Sequence, residues 1–437
     1  MTGGAIGVSG RSMISETTRL KNGVVVATAE MPHMESACVG IWAMTGARHE
    51  PARLNGVSHF LEHLVFKGTR RRKATEIMRE VEGIGGSVNA YTELDHTVYY
   101  AKAAAGKLGQ VADVLVDLYV GAVMAADEVE REREVIGEEI VMYEENPGQH
   151  VDDVLSEAAW PGSALGRPVT GTERSLAKLT RGDLVAWRNG HYVGGNTVVV
   201  VAGRVEHGEV VKLLSPMLRR VKPGGRSRVR GFRAAGCSAG PRVVHAVRDI
   251  EQSHVCLGFH APGALDGSRY ALKILNVLLG ENMSSRLFQR LREERGLCYS
   301  VQTDVTALRD TGLFTVYAGV DPGDLVGAVR LTLRELVKMG RRGPTRRELR
   351  EAIDYSVGML RMSLESTTQQ MTWLGEGLVT HGEVGDPGVV CERLAEVTVD
   401  EVRELAARVF RPERGCLGVV GPEQGSGLLE ERLRAMA

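Results

Sequence analysis

The sequence has no long apolar run. No stretch of its 437 residues approaches the roughly 20 residues that a bilayer-spanning helix requires. The first residues lack the apolar segment of a secretory signal, so we expect a cytoplasmic protein with no membrane partner. Neither sign of charge is in excess, because 54 basic and 55 acidic residues give a net charge of −1. This balance gives no argument for nucleic acid as a partner.

Cysteine is also scarce. The six cysteines are dispersed and form no Cys-x-x-Cys pair. Their spacing excludes a zinc knuckle of that type and a disulfide framework, and it indicates reduced, mostly buried thiols. The chain is 43% hydrophobic and long enough to bury a large core and to divide into two or more domains.

One ten-residue stretch, HFLEHLVFKG at residues 59–68, contains the motif H-x-x-E-H. On a helix His59, Glu62 and His63 fall within an arc of about 100°, and apolar residues occupy the opposite side. This arrangement is typical of a helix that holds a metal and a general base. The alternative is an ordinary surface helix whose polar face is solvated. A third ligand would distinguish the two.

A long acidic helix, predicted from Asp127 to about Glu145, supplies candidates for that ligand. Along it Glu132 and Glu139 interrupt an otherwise apolar stripe at spacings of three and four residues. A buried carboxylate is costly unless a cation or several donors compensate it. Two histidines and a glutamate, with water as fourth ligand, form a catalytic zinc set. The alternative is an open rim at which both carboxylates are hydrated.

The second half of the chain repeats the first. Residues 36–40 recur as residues 253–258, and residues 180–184 recur as residues 398–402, at nearly the same offset. This repetition predicts two copies of one αβ unit. The predicted fold class is α+β, with two homologous domains that each contain a mostly antiparallel sheet covered by helices on one side. The second copy has no H-x-x-E-H motif.

Three segments follow from the repeat. We predict an N-terminal domain at residues 1–221, a linker at 222–241 and a C-terminal domain at 242–437. The linker is rich in glycine and arginine and poor in apolar residues. Its arginines are not interleaved with aromatic residues, so a solvated linker is favoured over a nucleic-acid patch.

The chain resembles the pitrilysin and mitochondrial-processing-peptidase superfamily of inverted-motif zinc peptidases, in its short two-domain form. The resemblance implies one Zn²⁺ per chain, with Glu139 as the third ligand and Glu132 as its neighbour. It also implies that Glu62 activates a zinc-bound water for peptide hydrolysis. The matching stretches span most of the chain: MPHMESACVGIWAMTGARHEP, GVSHFLEHLVFKGT, GGSVNAYTELDHTVYY, EREVIGEEIVMYEENP and SSRLFQRLREERGLCYS.

The resemblance extends to substrate binding. Asn89 and Ala90 lie in a predicted strand that, in the superfamily, is a sheet edge to which an extended peptide adds. An ordinary internal strand is the alternative. Phe66 is a candidate for the wall of a side-chain pocket, and a position in the core is equally compatible. Arg292 and Tyr299 match a pair that holds substrate carbonyls and the developing oxyanion.

One chain carries both the zinc set and the Arg292/Tyr299 pair. In the superfamily the two elements lie in opposite halves of a four-domain clamshell or in different subunits. The resemblance therefore implies a homodimer in which each site takes zinc from one chain and the pair from the other. A heterodimer with a homologue is the alternative assembly. The alternative function is a non-catalytic scaffold or partner subunit, and a zinc hydrolase of small molecules is a third. The short segment at residues 280–283 makes recognition of mitochondrial presequences doubtful.

Overall fold

A computed structural model of the chain describes residues 15–226, 242–423 and 426–435. In the first half the strands are β1 (Ser15–Arg19), β2 (Val25–Glu30), β3 (Ser36–Ala43), β4 (Ser87–Thr92), β5 (Thr97–Ala104) and β6 (Thr197–Gly203). The helices are α1 (Val57–Val65), α2 (Ala74–Glu82), α3 (Leu108–Gly121), α4 (Ala126–Glu145), α5 (Pro147–Ala159), α6 (Glu173–Leu176), α7 (Arg181–His191) and α8 (His207–Leu218).

The second half has a similar succession of elements. Its strands are β7 (Arg242–Val247), β8 (Ser253–Ala261), β9 (Cys298–Ala307), β10 (Gly312–Val320) and β11 (Gly415–Gly421). Its helices are α9 (Arg269–Asn276), α10 (Leu325–Arg342), α11 (Arg346–Ser363), α12 (Thr367–Thr380), α13 (Pro387–Ala395), α14 (Val399–Val409) and α15 (Ser426–Arg434). Two π-helical segments, Val277–Glu281 and Phe288–Glu293, precede β9.

The two sheets have the same topology. The first has the order β1-β2-β6-β3-β5-β4 and the second the order β7-β11-β8-β10-β9. Apart from β1, each strand of the first sheet has a counterpart in the second. The pairs β2/β6 and β7/β11 are parallel and the other neighbours are antiparallel. The predicted α+β fold with two homologous, mostly antiparallel units is confirmed.

The prediction that helices cover each sheet on one side is wrong. Helices of its own half cover one face of each sheet, and one helix of the other half covers the opposite face. On the first sheet α12 packs Met371 and Leu374 against Trp42 of β3. On the second sheet α5 packs Val151 and Leu155 against β8, β10 and β11. Strands such as β6, in which every residue is buried, require a cover on both faces.

The predicted domain limits are not tested by this packing. Most of the predicted linker, residues 227–241, lies outside the described residues, and residues 222–226 have no regular structure. The segments 1–221 and 242–437 therefore stay predictions. Among the described residues no helix combines the length and apolar character needed to cross a membrane.

A matched pair of glycine substitutions tests whether α12 of the second half packs against the first sheet. A Cβ at Gly375 of α12 would overlap the indole of Trp42, whereas a Cβ at Gly358 of α11 would meet nothing within 4 Å. We expect Gly375→Ala to lower the free energy of unfolding by about 1–3 kcal/mol, because the helix must move away from the sheet. Gly358→Ala is the control and should be neutral or stabilising by about 0.5–1 kcal/mol. Urea denaturation measures both, and equal stabilities would contradict this packing.

Candidate metal centre

The start of α1 is fixed by a buried carboxylate. Glu50 accepts hydrogen bonds from the backbone N–H groups of Gly56 (2.7 Å) and Ser58 (2.8 Å). These are N–H groups that a helix start leaves without an intrahelical partner. Burial raises the pKa of Glu50, and the same hydrogen bonds oppose that shift. Asn55 precedes the helix and has a side chain of a type that often caps helices, but it is not the N-cap. Its amide donates to the carbonyl of Pro168 (3.0 Å) instead.

Gly56 is the N-cap of α1, with φ of 90°. This is the left-handed region, in which only glycine is unstrained. The acidic helix, α4, begins one residue before the predicted start at Asp127. Ala125 is the N-cap there, and Asp127 lies in the first turn, where its charge interacts favourably with the helix dipole.

The back of α1 lies in the first hydrophobic core. Phe60, Leu61 and Leu64 are fully buried in this core, where α1 packs against the first sheet and α7. Because these residues fix the rotation of the helix, its front turns towards α4. The predicted amphipathic helix is therefore present, and its polar face is packed against another helix rather than fully solvated.

His59, His63 and Glu139 meet at the contact between α1 and α4. The Nε2 atoms of His59 and His63 lie 3.8 Å and 3.4 Å from Oε2 of Glu139. One ligand atom from each of the three residues lies within 4.8 Å of the others. Two imidazole nitrogens and a carboxylate oxygen are a donor set that suits Zn²⁺. Nδ1 of His59 is buried without a hydrogen-bond partner in the described chain.

The charges in this cluster depend on burial and on each other. Burial, together with the neighbouring His63, lowers the pKa of His59 to about 4, so this imidazole is neutral at neutral pH. Burial also lowers the pKa of His63, but contacts with Glu139, Glu132 and Glu62 outweigh it and the net shift is upward. The His63 contact lowers the pKa of Glu139. A neutral imidazole and an ionised carboxylate are the forms that bind metals.

Glu62 lies beside this cluster and is held by the first sheet. Its Oε2 accepts a hydrogen bond of 2.6 Å from the hydroxyl of Thr92, the last residue of β4. Burial raises the pKa of Glu62, whereas Thr92 and His63 oppose the shift. The carboxylate is therefore oriented and poorly solvated, as a general acid or base requires.

Glu132 is buried, with 3% exposure, between two cationic or proton-donating groups. Its Oε2 lies 3.2 Å from Nδ1 of His63, and its Oε1 lies 2.6 Å from Nζ of Lys67. It thus contacts the imidazole edge that faces away from Glu139. Sequence reasoning predicted Glu132 here but missed Lys67 and Thr92. The position of Lys67, four residues after His63, was the available signal.

The predicted substrate strand is a sheet edge. Among the described strands β4 pairs with β5 alone, so the alternative of an internal strand is wrong. Asn89 is exposed and Ala90 is half-buried. The N–H of Ala90 donates to the side chain of Asn89 (2.8 Å). Phe66, the C-cap of α1, packs against the first core and also lines a surface groove between α1 and α2.

Arg292 and Tyr299 are adjacent to each other in the second half. Arg292 lies in the π-helical segment Phe288–Glu293, and its guanidinium carbon is 5.3 Å from the ring centroid of Tyr299. Tyr299 is 78% exposed on β9, at the edge of the second sheet. In the described chain no hydrogen bond, ion pair or ring contact joins either residue to His59, His63 or Glu139.

Comparisons with known proteins identify the family of the chain. Residues 25–173 match the family model "Insulinase (Peptidase family M16)", and residues 178–355 match "Peptidase M16 inactive domain". A protein of Streptomyces coelicolor named as an uncharacterized zinc protease is 37% identical over 416 residues, which are 93% of this chain and 89% of that protein. The uncharacterized zinc protease YmxG of Bacillus subtilis is 33% identical, over 92% of this chain and 97% of its own.

Solved structures show the same fold. The crystal structure of a protease from Helicobacter pylori has a TM-score of 0.87 at 23% identity, and the alignment covers 94% of this chain and 100% of that one. The fold and the H-x-x-E-H helix place the protein in the inverted-motif class of metallopeptidases. Within that class, the chain belongs to peptidase family M16.

The role of Glu50 leads to a stability prediction. Glu50→Ala leaves two buried N–H groups without an acceptor, so we expect the free energy of unfolding to fall by about 1–3 kcal/mol. Glu50→Gln keeps one acceptor oxygen and should lose less. Denaturation followed by circular dichroism compares the two variants with the wild type. A wild-type stability of Glu50→Ala would show that the carboxylate does not anchor α1.

Proposed function

We propose that the protein is a zinc-dependent endopeptidase that cleaves peptides in extended form. The observation that carries this proposal is the convergence of both imidazole Nε2 atoms on one oxygen of Glu139. His59, His63 and Glu139 would hold one Zn²⁺ per chain. Relatives that cover nearly the whole chain are named as zinc proteases, which supports this assignment.

A Zn²⁺ at this position would polarise the scissile carbonyl and lower the pKa of an attacking water. Glu62 takes a proton from the attacking water and delivers it to the leaving amine. Its raised pKa, caused by burial, suits both transfers. Thr92 orients the Glu62 carboxylate. Glu132 accepts from Nδ1 of His63 and so directs Nε2 towards Glu139.

The substrate pairs with the free edge of β4. An extended peptide that adds to a sheet edge gains backbone hydrogen bonds, which give affinity with little dependence on sequence. Asn89 and Ala90 lie on this edge, and Glu62 is joined to its last residue, Thr92. Phe66 lines the adjacent groove and contacts one substrate side chain.

The oxyanion is stabilised by Arg292 and Tyr299 of a second chain. Within one chain these residues contact each other and not the His59–His63–Glu139 cluster. A homodimer with two shared sites, in which a chamber forms between the chains, brings both parts together. A heterodimer with a homologue would do the same at one site.

The alternative function is a non-catalytic partner subunit. The presence of His59, Glu62, His63 and Glu139 in one cluster favours catalysis, because a scaffold has no need of a buried, oriented carboxylate beside two imidazoles. Digestion of a peptide library with and without a chelator separates the possibilities. A location in the cytoplasm and the absence of nucleic-acid or membrane partners remain predictions from composition.

The roles of Glu62 and His59 differ in a measurable way. Glu62→Gln should keep Zn²⁺ and lose nearly all peptide hydrolysis, because the amide cannot accept the proton. His59→Ala should lose Zn²⁺ as well, because one of three protein ligands is gone. Metal analysis after gel filtration and a peptide-cleavage assay measure both properties. Near-wild-type cleavage by Glu62→Gln would rule out the proposed base.

Mixing inactive variants tests the shared site. Glu62→Gln and Arg292→Ala carry their defects in opposite halves, so a mixed dimer has one intact site. With complete exchange at equal amounts we expect about a quarter of the wild-type activity, because half of the dimers are mixed and each has one of two sites.

The matched control is a mixture of Glu62→Gln and His59→Ala. Both defects lie in the metal half, so no combination of chains restores a site. Equal activity in the two mixtures, with subunit exchange verified by labelled chains, would exclude sharing between subunits.

A further inference from the structure

Lys67 lies two residues beyond the end of α1. It is linked through Glu132 to the cluster formed by His59, His63 and Glu139. Its ammonium nitrogen is 2.6 Å from Oε1 of Glu132. The other oxygen of Glu132 is 3.2 Å from Nδ1 of His63. The three residues therefore form a chain of contacts from the surface to the imidazole.

The contact between Lys67 and Glu132 matters because Glu132 is buried and has few partners. The carboxylate is buried, and in the described chain its hydrogen bonds and ion pairs go to Lys67 and His63 alone. A buried carboxylate with one of its partners removed carries a large desolvation cost. Without Lys67, His63 would be the remaining partner in the described chain, and the carboxylate would be free to rotate away from Nδ1 of His63.

We infer that Lys67 is a positioning residue for the metal site. Its ammonium group holds Oε1 of Glu132 in place, so that Oε2 of the same carboxylate stays against Nδ1 of His63 and fixes the imidazole in one direction. Nε2 of His63 then presents its lone pair on the side of Glu139. The inference rests on the proposed zinc function. Lys67 itself does not touch the reacting atoms.

A competing role for Lys67 follows from its second environment. The residue also lines the groove between α1 and α2, together with Phe66 and Arg79. In that role it would bind substrate directly. The two roles separate cleanly, because a positioning residue changes the affinity for metal whereas a groove residue changes KM.

The test measures the dissociation constant of Zn²⁺ by competition with a chromophoric chelator. We expect Lys67→Met to weaken Zn²⁺ binding by about 10–100-fold, the usual effect of removing a group that supports a ligand. Lys67→Arg keeps the charge and should recover most of the affinity. Arg79→Met is the matched control, since Arg79 lines the same groove without contacting Glu132, and it should leave Zn²⁺ affinity unchanged.

A second pair of variants tests the route through Glu132. In a Glu132→Gln background the neutral amide has no need of a cation, so Lys67→Met should then change Zn²⁺ affinity by less than about 3-fold. An undiminished effect in that background would overturn the inference, because Lys67 would then act by another route. So would unchanged Zn²⁺ affinity in Lys67→Met with a raised KM.

The experiments distinguish a failure of the proposed zinc function from a failure of the inference about Lys67. A wild-type protein that binds no Zn²⁺ would remove both proposals, whereas wild-type binding with an unaffected Lys67→Met variant would remove the inference alone. Thermal unfolding verifies that each variant is folded. Lys67→Gln, which lacks the charge but stays polar, provides the same comparison if the methionine variant does not fold.

Discussion

The candidate site depends on acidic and basic groups held together away from water. At the contact of α1 with α4, Glu132 and Glu139 lie against His63 in a poorly solvated space. Removing carboxylates from water is costly, and each charge here is tolerated because a neighbour of opposite character compensates it. Burial lowers the pKa of His59, whereas at His63 the contacts with carboxylates outweigh burial and raise the pKa. The same arrangement leaves two nitrogens and one oxygen directed at one point.

Three segments outside α1 support the contact between α1 and α4. The loop before α1 provides Glu50, which fixes the start of the helix. The edge strand provides Thr92, which orients Glu62. Lys67 follows the end of α1, and its ammonium group forms an ion pair with Glu132. The supports act at different points along α1, so the start of the helix, the Glu62 carboxylate and the Glu132 carboxylate beside His63 are held separately.

Much of this was predictable because it depends on local periodicity. The spacing of His59, Glu62 and His63 defines a helix face, and the stripe on α4 identifies Glu132 and Glu139. The internal repeat likewise predicts two sheets of the same topology. The contacts of Glu50 and Thr92 were not predictable, because periodicity specifies which face of an element is buried and not which side chain from outside the element it meets. The N-cap of α1 was not predictable for a related reason, since the left-handed φ of Gly56 depends on tertiary packing.

The packing of α12 and α5 against the sheet of the other half was also not predictable from the sequence. The burial of β3 and β6 on both faces requires a second cover, but composition does not say that the cover comes from the other half. One consequence concerns mechanics. Asn146 alone separates α4, which carries Glu139, from α5, which is embedded in the second sheet. The longer helix, α4, thus carries Glu139, and the shorter helix, α5, is packed against the sheet of the opposite half. A rotation of one half relative to the other would therefore move Glu139 relative to the sheet that carries His59 and His63 on its covering helix.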